Sequence, residues 1–488
     1  MESDHPPARD LVPNSFAKEH RIVPLGWENG ILRVGAARPK QEALADELAF
    51  LTGSQVQWEE IEPSEIETFF EEKGLEESSS SAEENRGVDT EGAFGSKEGA
   101  GEKPLGAGSV VQQIERIIHR AIEKGASDIH IEPYESFFRV RYRIDGVLHT
   151  VGELDLAQRD ATVSRIKIMA GLDIAEKRRP QDSRIRVEHE GRSVDLRVST
   201  LPTAHGEKAV LRVLDKSALT LDLGALGLGE EEEARFEEAI GSPNGQILVT
   251  GPTGSGKTTT LYTALDALNT EKVNITTIED PIEYNLKGIN QTQVRGEIGF
   301  SFAEALRAFL RQDPNIVMVG EIRDQETADI AVRAALTGHL VLSTLHTNDA
   351  PSTVTRLVDM GVEPYLVASS VRLVAAQRLV RTVCPSCKAS ANPDPALLEK
   401  LGLPPSANVV AGEGCLQCSG TGFQGRTGLF ELMPLSEEIG ELVTSGASTA
   451  DIRDQAKAEG MNALREAGAK KIREGVTTPS EVLRETAA

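Results

Sequence analysis

The chain lacks long apolar runs and is poor in aromatic residues. None of its 488 residues lies in a stretch that approaches ~18–20 uninterrupted apolar residues, so the sequence predicts no membrane-spanning helix. The opening residues, MESDHPPARD, have neither a basic region nor an apolar core, which predicts that no secretory signal is present. Both tryptophans, Trp27 and Trp58, fall near the start of the chain.

Positive charge and cysteine are also scarce. Lysine and arginine total 52 against 76 acidic residues, and the net charge of −24 argues against a general nucleic-acid binder, although a local basic patch is compatible with it. The four cysteines form two Cys-x-x-Cys pairs. In a cytosolic protein this pattern favours metal binding over disulfides.

Composition divides the first part of the chain. Residues 1–75 predict a small α/β domain, with a hairpin turn at Asn29-Gly30 and two helices. Residues 76–108 are rich in serine, glycine and glutamate and almost free of large apolar side chains. Such a segment cannot bury enough surface to offset its ordering entropy, so it is predicted to be a flexible linker.

Residues 109–220 predict a second α/β domain with a largely antiparallel sheet. An apolar stripe after Ser109 predicts a half-buried helix that ends at Gly125, and alternating segments around Asp145-Gly146 predict strands. Arg139, Arg141 and Arg143 share one strand face. We interpret that face as solvated.

From about residue 221 the pattern alternates between strand and helix. This order is typical of a parallel sheet covered on both sides by helices, and the whole chain is assigned to the α/β class. The predicted domains continue with a nucleotide-binding unit at 221–380, a cysteine module at 381–430 and a helical region at 431–488.

A glycine-rich loop follows the apolar run that starts at Ile247. The segment GPTGSGKT matches G-x-x-x-x-G-K-[ST] in full and precedes a helix-like TTTLYTALDAL. Glycines let such a loop turn its N–H groups inward, the lysine adds charge at the β- and γ-phosphates, and the following hydroxyl can ligate Mg²⁺. We therefore predict that Thr258 binds magnesium. The predicted ATP-binding residues are Gly251, Pro252, Thr253, Gly254, Ser255, Gly256, Lys257, Thr258 and Thr259.

An acidic residue closes the next apolar strand. The segment NIVMVGEIRD has consecutive apolar residues, as a strand buried on both faces should, and ends at Glu321. Open α/β sheets bind ligands at the carboxyl ends of their strands. A carboxylate there can orient and deprotonate the attacking water, so Glu321 is the predicted general base; the alternative is a surface acid at a strand end.

Two further strands end in polar residues. NITTIEDPIEY ends in Glu279-Asp280, and TGHLVLSTLHTNDA places His339 before a strand and His346 after it. His346 stands among hydroxyl and amide residues at a strand end, which favours a role facing phosphate. Glu279, Asp280 and His346 are therefore predicted to contribute to catalysis, whereas His339 remains open between a structural and a catalytic role.

The cysteines predict a zinc site. Two knuckles separated by 27 residues can each point two thiolates at one ion, which completes a tetrahedral set. No catalytic grouping lies beside them, so the site should be structural; the alternative is four free thiols. The predicted ligands are Cys384, Cys387, Cys415 and Cys418.

Four segments together resemble a known family. GPTGSGKT, ITTIEDPIE, NIVMVGEIRD and TGHLVLSTLHTNDA resemble, in this order, the Walker A, aspartate, Walker B and histidine boxes of the secretion ATPase superfamily of types II and IV. The resemblance runs from about residue 109 to the end of the sequence, includes the tetracysteine insertion, and continues weakly through residues 1–75, where VPNSFAKEHRIVPL resembles the N-terminal domain of type II secretion ATPases.

The resemblance implies architecture and site residues. Members form homo-hexameric rings in which a RecA-like core follows a smaller, PAS-like α/β domain, and ATP sits between the two. Arginines of the smaller domain reach the γ-phosphate, and VDLRVSTLPTAHGEKAVLRVL places that role on Arg197 and Arg212.

The resemblance also implies a function. The expected protein is a cytoplasmic ATPase, peripheral at the inner membrane, that drives pseudopilus assembly for type II secretion. Its expected partners are an inner-membrane platform protein and, through residues 1–75, the cytoplasmic part of an inner-membrane secretion protein. Type IV pilus assembly is the close alternative. A RecA-type nucleic-acid motor and a scaffold that does not hydrolyse ATP are more distant alternatives, and no nucleic acid is expected as a partner.

Overall fold

Two compact units, Met1–Gly99 and Ala100–Ala488, make up the chain. A computed structural model describes residues 22–28, 31–37, 56–62, 65–66, 68–69, 109–215 and 221–487. The predicted turn at Asn29-Gly30, the first predicted helix and the linker at 76–108 lie outside the described residues.

The first unit contains a three-stranded sheet. Strand β1 (Ile22–Glu28) pairs antiparallel with β2 (Ile31–Ala36), as expected for a hairpin, and β2 pairs parallel with β3 (Val56–Glu60). Trp27 and Trp58 are partly buried against the apolar core of this unit. The core residues are Ile22, Val23, Leu32, Val34, Ala36, Ile66 and Phe69.

The second unit begins with a six-stranded sheet whose order is β6-β5-β4-β9-β8-β7, with every pair antiparallel. Helix α1 starts with a capping box at Ser109, buries Ile114, Ile117 and Ile118, and is followed by Gly125 at φ 62°, as predicted. The elements are α1 (Val110–Glu123), β4 (Asp128–Pro133), β5 (Phe138–Ile144), β6 (Val147–Leu154), α2 (Arg159–Met169), β7 (Gln181–His189), β8 (Arg192–Thr203) and β9 (Gly206–Leu214).

The arginines of β5 are paired with acids and only partly exposed to solvent. On β4, Glu132 is opposite Arg139 and Asp128 is opposite Arg143. Arg141 Nε lies 2.7 Å from Glu132 Oε2, and Arg143 Nε lies 3.4 Å from Asp128 Oδ2. Arg139 Nη2 lies 3.3 Å from the same Glu132 oxygen. The solvated-face interpretation therefore holds only in part, because the strand that supplies the acids pairs with β5 only after the chain folds.

A seven-stranded sheet forms the largest part of the second unit, in the order β12-β11-β13-β14-β10-β15-β18. All neighbours are parallel except β15 and β18. The elements are α3 (Glu230–Ile240), β10 (Gly245–Thr250), α4 (Lys257–Leu268), β11 (Ile275–Glu279), β12 (Asn290–Gln293), α5 (Phe302–Phe309), β13 (Ile316–Val319), α6 (Gln325–Leu336), β14 (Leu340–Leu345), α7 (Ala350–Asp359), α8 (Pro364–Ser370), β15 (Val371–Val383) and β18 (Phe423–Pro434).

Helices cover this sheet on both faces, as predicted. The adjacent residues Ile247 and Leu248 of β10 are fully buried and belong to two different apolar clusters, and the same holds for Val317 and Met318 of β13. Continuous apolar strands are therefore required here, because each residue meets a packed layer whichever way its side chain points.

A small hairpin and four helices complete the chain. Strands β16 (Lys388–Ala391) and β17 (Val409–Gly412) pair antiparallel, with α9 (Pro395–Lys400) between them. The predicted C-terminal helical region contains α10 (Glu437–Thr444), α11 (Thr449–Ala458), α12 (Leu464–Arg473) and α13 (Pro479–Glu485), but its first residues, 431–434, belong to β18. Across the described ranges, no helix has the length and apolar character needed to cross a bilayer.

Candidate active site

The carboxyl ends of three neighbouring parallel strands meet at one edge of the large sheet. Strands β13, β14 and β10 are adjacent in that order. Residues 251–258 follow β10, Glu321 follows β13, and His346 follows β14. The sheet topology therefore brings together three features that the sequence spreads over residues 251–346.

Two positions of the loop after β10 require glycine because of their backbone conformation and their close neighbours. Gly251 and Gly256 have φ of 148° and 90°, values that other residues rarely adopt. A Cβ on Gly251 would lie 2.5 Å from the Gln377 carbonyl oxygen, and a Cβ on Gly256 would lie 2.8 Å from Gln377 Nε2. The loop is thus pressed against β15, where a side chain would force it outward.

The lysine and serine of the loop suit an anion. Lys257 Nζ donates to the carbonyl oxygens of Gly251 and Pro252, at 2.8 and 3.0 Å. Burial lowers the pKa of Lys257 to about 8, Glu321 opposes that shift, and Arg378 adds to it. Ser255 Oγ is buried and has no hydrogen-bond partner among the described residues. A cation at the start of α4 and an orphaned hydroxyl fit the phosphates of a nucleotide.

Glu321 is held by two basic side chains. Its carboxylate contacts the guanidinium of Arg323, and its Oε2 lies 3.3 Å from His346 Nε2. The side chain of Glu321 is only 13 % exposed, whereas that of His346 is 49 % exposed. The carboxylate is therefore oriented before any water reaches it.

Glu279 is buried inside a hydrogen-bond network of its own. Its Oε1 accepts from Thr277 Oγ1 at 2.6 Å and from Gln291 Nε2 at 3.0 Å, and its Oε2 accepts from Tyr262 Oη. Because Tyr262 belongs to α4, this carboxylate fixes the helix that follows residues 251–256, the phosphate loop. Asp280, the next residue, is exposed at the strand end.

The loop after β14 is tied to β10. Thr250 Oγ1 accepts from the Thr347 backbone N–H at 2.9 Å, and the two hydroxyls lie 2.5 Å apart. Thr347 Oγ1 in turn lies 2.6 Å from Thr353 Oγ1 of α7. These contacts fix the backbone next to His346.

His339 lies at the opposite end of β14. Its Nδ1 is 3.0 Å from the Ala334 carbonyl oxygen at the end of α6, and its own carbonyl oxygen accepts from the Gly245 N–H at 3.1 Å. The six residues of β14 separate it from His346 by roughly 20 Å at ~3.3 Å per residue. The structure therefore places His339 in a structural position, which the sequence left open.

Arg197 and Arg212 are neighbours on the polar face of the six-stranded sheet, where they occupy facing register positions on β8 and β9. Arg212 Nε donates to Asp128 Oδ1 at 3.0 Å. Arg197 Nη1 lies 3.9 Å from Glu283 Oε1, in the segment that follows Glu279 and Asp280. Both guanidiniums therefore contact acids outside residues 251–259, although Arg197 already faces the nucleotide-binding half of the molecule.

The four cysteines converge, as their spacing predicts. The Sγ atoms of Cys384 and Cys415, and those of Cys387 and Cys418, lie 3.8 Å apart, and those of Cys415 and Cys418 lie 3.7 Å apart. A tetrahedral ion with bonds of ~2.3 Å has ligand–ligand edges of ~3.8 Å, so the set fits zinc. The backbone N–H of Cys415 lowers the pKa of Cys418 to about 6, and burial opposes it.

The family is decided by comparison with known proteins. The model for the Type II/IV secretion system protein family matches residues 104–484. The chain belongs to this family. A second model, the MshEN domain, matches residues 2–78. The resemblance found in the four boxes is thereby confirmed.

Named relatives of this secretion ATPase fall into two groups. The type IV pilus assembly ATPase PilB of Myxococcus xanthus is 48 % identical over 491 residues, which cover 98 % of this chain and 86 % of that protein. The type II secretion system protein E of Pseudomonas aeruginosa is 52 % identical over 379 residues, which cover 77 % and 75 %. The type II secretion system ATPase E of Vibrio cholerae is 48 % identical, with the same coverage.

Solved structures show the same fold. The pilus retraction motor PilT, solved with bound ADP, is 28 % identical and has a TM-score of 0.53 over 77 % of this chain and 97 % of that one. The ATPase DotB of Legionella pneumophila has a TM-score of 0.56 at 20 % identity over 79 % and 96 %. The α/β secretion-ATPase fold predicted from the sequence is confirmed.

Sequence reasoning missed several residues of this secretion ATPase that surround the site. Gln377 and Arg378 lie on β15 and contact the phosphate loop or its neighbours, and Thr250 anchors the loop after β14. One signal was available, since two adjacent polar residues interrupt the apolar segment VRLVAAQRLVRTV. No signal in the sequence showed which loop they would meet.

Proposed function

We propose that this chain is the ATP-hydrolysing motor of a type II secretion system, in which it drives pseudopilus assembly and protein export. The observation that carries the proposal is the convergence of Lys257, Glu321 and His346 at the carboxyl ends of three adjacent strands. The boxes that supply these residues have the order typical of the family.

The phosphate loop binds the triphosphate. Lys257 leaves the carbonyl oxygens of Gly251 and Pro252 for the β- and γ-phosphates, and the N–H groups at the start of α4 face the same anion. The Thr258 hydroxyl holds magnesium, which neutralises charge on the phosphate oxygens when it is bound. Ser255, Thr259 and the remaining residues of 251–259 line this cradle.

Glu321 acts as general base. Its carboxylate accepts the proton of the attacking water, while His346 and Arg323 fix its orientation. Exposed Asp280 follows β11 at the same edge of the sheet and would contribute a carboxylate to catalysis there. Buried Glu279 contributes by holding α4 through Tyr262.

Arg197 and Arg212 supply positive charge to the transferring phosphoryl group. A guanidinium is most effective where negative charge develops in the transition state, and contributions of ~10³–10⁵ in rate are known for such arginines. The proposal requires Arg197 to leave Glu283 and Arg212 to leave Asp128 when nucleotide binds.

The four cysteines would hold a structural zinc ion. Their thiolates are Cys384, Cys387, Cys415 and Cys418, whose sulfurs lie within 4.8 Å of one another. Zinc supplies no chemistry to hydrolysis in this proposal. When bound, it would fix the β16–β17 hairpin, which lies in the chain between β15 and β18.

The domains divide the work. Residues 1–75 anchor the motor to the cytoplasmic part of an inner-membrane secretion protein, and residues 76–108 form the linker. Residues 109–220 carry the arginines and residues 221–380 the ATP site, while the zinc module at 381–430 and the helices at 431–488 follow. Six copies form a ring that acts on an inner-membrane platform protein, so the motor is cytoplasmic and peripheral at that membrane.

Gene replacement in the source bacterium tests the proposal. Deletion should remove exported proteins from the medium, and the wild-type gene should restore them. Lys257→Ala should fail to restore export, whereas Lys272→Ala, at an exposed lysine just beyond α4, should restore it. Normal export in the deletion strain would contradict the proposal.

Type IV pilus assembly is the second candidate, and one observation favours it. The match to the pilus assembly ATPase of Myxococcus xanthus extends over 98 % of the chain, whereas the matches to the type II secretion proteins cover 77 %. The same deletion strain separates the two functions. Loss of surface pili with normal export would assign the chain to pilus assembly.

A further inference from the structure

We infer that Arg378 is a positioning residue that ties the phosphate loop to the loop bearing His346, so that the two move as one unit during hydrolysis. The loop of residues 346–349 is called the histidine loop below. The inference rests on the proposed ATP site and adds a residue that none of the four boxes contains.

The guanidinium of Arg378 is buried and directed mainly at backbone carbonyl oxygens. Arg378 is 8 % exposed. Its Nη1 donates to the Gln377 carbonyl oxygen at 3.0 Å, and its Nη2 donates to the Asn348 carbonyl oxygen at 3.0 Å and lies 3.4 Å from Asn348 Oδ1. A single side chain therefore connects β15 to the histidine loop.

The same pair of residues backs the phosphate loop. A Cβ on Gly251 would lie 3.2 Å from Arg378 Nη1, as well as 2.5 Å from the Gln377 carbonyl oxygen. Gln377 Oε1 accepts from Thr260 Oγ1 of α4 at 2.8 Å. Gly251 thus lies close to the guanidinium that holds Asn348, and we expect displacement of one loop to disturb the other.

Other residues fix the far side of the histidine loop. Arg453 Nη2 on α11 lies 2.7 Å from Asp349 Oδ2, and Glu431 Oε1 on β18 accepts from the Ala350 N–H at 2.8 Å. Arg378 also lies near the carboxylates of Glu431, Asp349 and, on α13, Glu485, and these offset its buried charge. These contacts hold the far side of the histidine loop, and Arg378 links its near side to β15 beside the phosphate loop.

The link needs a guanidinium. Its two terminal nitrogens bond to two carbonyl oxygens on different segments, which one ammonium cannot do with the same geometry. Arg378→Lys keeps the charge but loses the bridge, and Arg378→Gln loses both. Since His346 contacts Glu321, loss of the bridge should misplace the base and spare the phosphate cradle.

Steady-state ATP hydrolysis by the full-length protein tests the inference, with nucleotide-binding sites counted in each preparation. We expect Arg378→Lys to lower kcat by ~10-fold and Arg378→Gln by ~100-fold, because displacements near 1 Å at a reacting centre have effects of this size. The KM for ATP should stay within ~3-fold of the wild-type value. The number of nucleotide-binding sites per chain should not change.

Arg372→Gln is the matched control. Arg372 lies near the start of the same strand, six residues before Arg378, and makes the same kind of contact, to the carbonyl oxygen and Oδ1 of Asn244 at 3.3 Å. It should keep wild-type kcat. Lys257→Ala, measured alongside, tests the proposed ATP site itself.

Three results would overturn the inference. The first is wild-type kcat in Arg378→Lys, which also decides the matter if Arg378→Gln does not fold. The second is a loss of binding sites that accounts for the loss of activity. The third is full hydrolysis by Lys257→Ala, which would overturn the ATP site and this inference together, whereas the first two leave the proposed function standing.

Discussion

His346 Nε2 lies 3.3 Å from Glu321 Oε2, although 25 positions separate the two residues in the chain. The contact joins the ends of β14 and β13, which are neighbours in the sheet. It gives the predicted general base a fixed orientation and leaves its other oxygen to Arg323. A change at Glu321 should therefore affect the rate of hydrolysis more than the affinity for nucleotide.

Glu321→Gln should keep ATP bound but hydrolyse it slowly. A carboxamide has nearly the shape of the carboxylate but cannot accept the proton of the attacking water, so we expect kcat to fall by ~10²–10⁴-fold with little change in Kd. Phosphate release and binding of a fluorescent ATP analogue measure the two quantities. Glu326→Gln, at an exposed acid of α6, should behave as wild type. Wild-type turnover in Glu321→Gln would show that another group is the base.

Arg197→Ala and Arg212→Ala should reduce turnover far more than ATP affinity. The charge they are proposed to meet is largest in the transition state, so their removal should lower kcat by at least ~10²-fold. Arg186→Ala is the control, since Arg186 is an exposed arginine of the same sheet that pairs with Asp195. Equal losses of affinity and rate would reassign both arginines to ground-state binding.

The sequence was most informative where local geometry and chemistry coincide. The phosphate loop, the buried parallel strands and the cysteine knuckles each have a spacing that few other structures require, and the structure places them as predicted. Glu321 and His346 could be predicted because strand ends of a parallel sheet meet at one edge.

The remaining features depend on which distant segments pair. Arg141 contacts Glu132 on the neighbouring strand, and Arg378 meets Asn348 across 30 positions, but no periodicity in either segment specifies its partner. Burial of Glu279 beneath Tyr262 is of the same kind, because it follows from the packing of α4. Only the family resemblance predicts a role for Arg197 and Arg212, because the chain contains many other arginines in similar sequence patterns.

The purified protein should contain about one zinc ion per chain. Cys387→Ser should lose the metal, because three thiolates hold zinc much less tightly than four. Loss of the metal should increase hydrogen exchange in the β16–β17 hairpin. Elemental analysis and hydrogen-exchange mass spectrometry measure both effects, and Ser386→Ala in the same knuckle should alter neither. Metal-free protein with a fully protected hairpin would refute the zinc assignment.

The last prediction concerns acid stability of the six-stranded sheet. Burial alone would raise the pKa of Glu132, but the hydrogen bonds and charges of Arg141 and Lys208 outweigh it and lower the pKa to about 2 from an ordinary 4.5. The side chain is 5 % exposed, so solvent screens these contacts little. A carboxylate with a lowered folded pKa stabilises the fold above the unfolded value and loses that contribution as the pH falls.

Glu132→Gln should therefore destabilise the sheet by about 3 kcal/mol near pH 7. The difference from wild type should persist down to about pH 4.5 and shrink as the pH falls towards about 2, where the wild-type carboxylate also becomes neutral. Hydrogen exchange of β4 and β5 peptides in the full-length protein, compared between wild type and variant at each pH, measures this local difference. Glu135→Gln, at an exposed acid just after β4, should show no such dependence. A difference that stays constant from pH 5 to pH 2 would mean that the ion pairs of Glu132 do not set its pKa, and that the variant is weakened by packing alone.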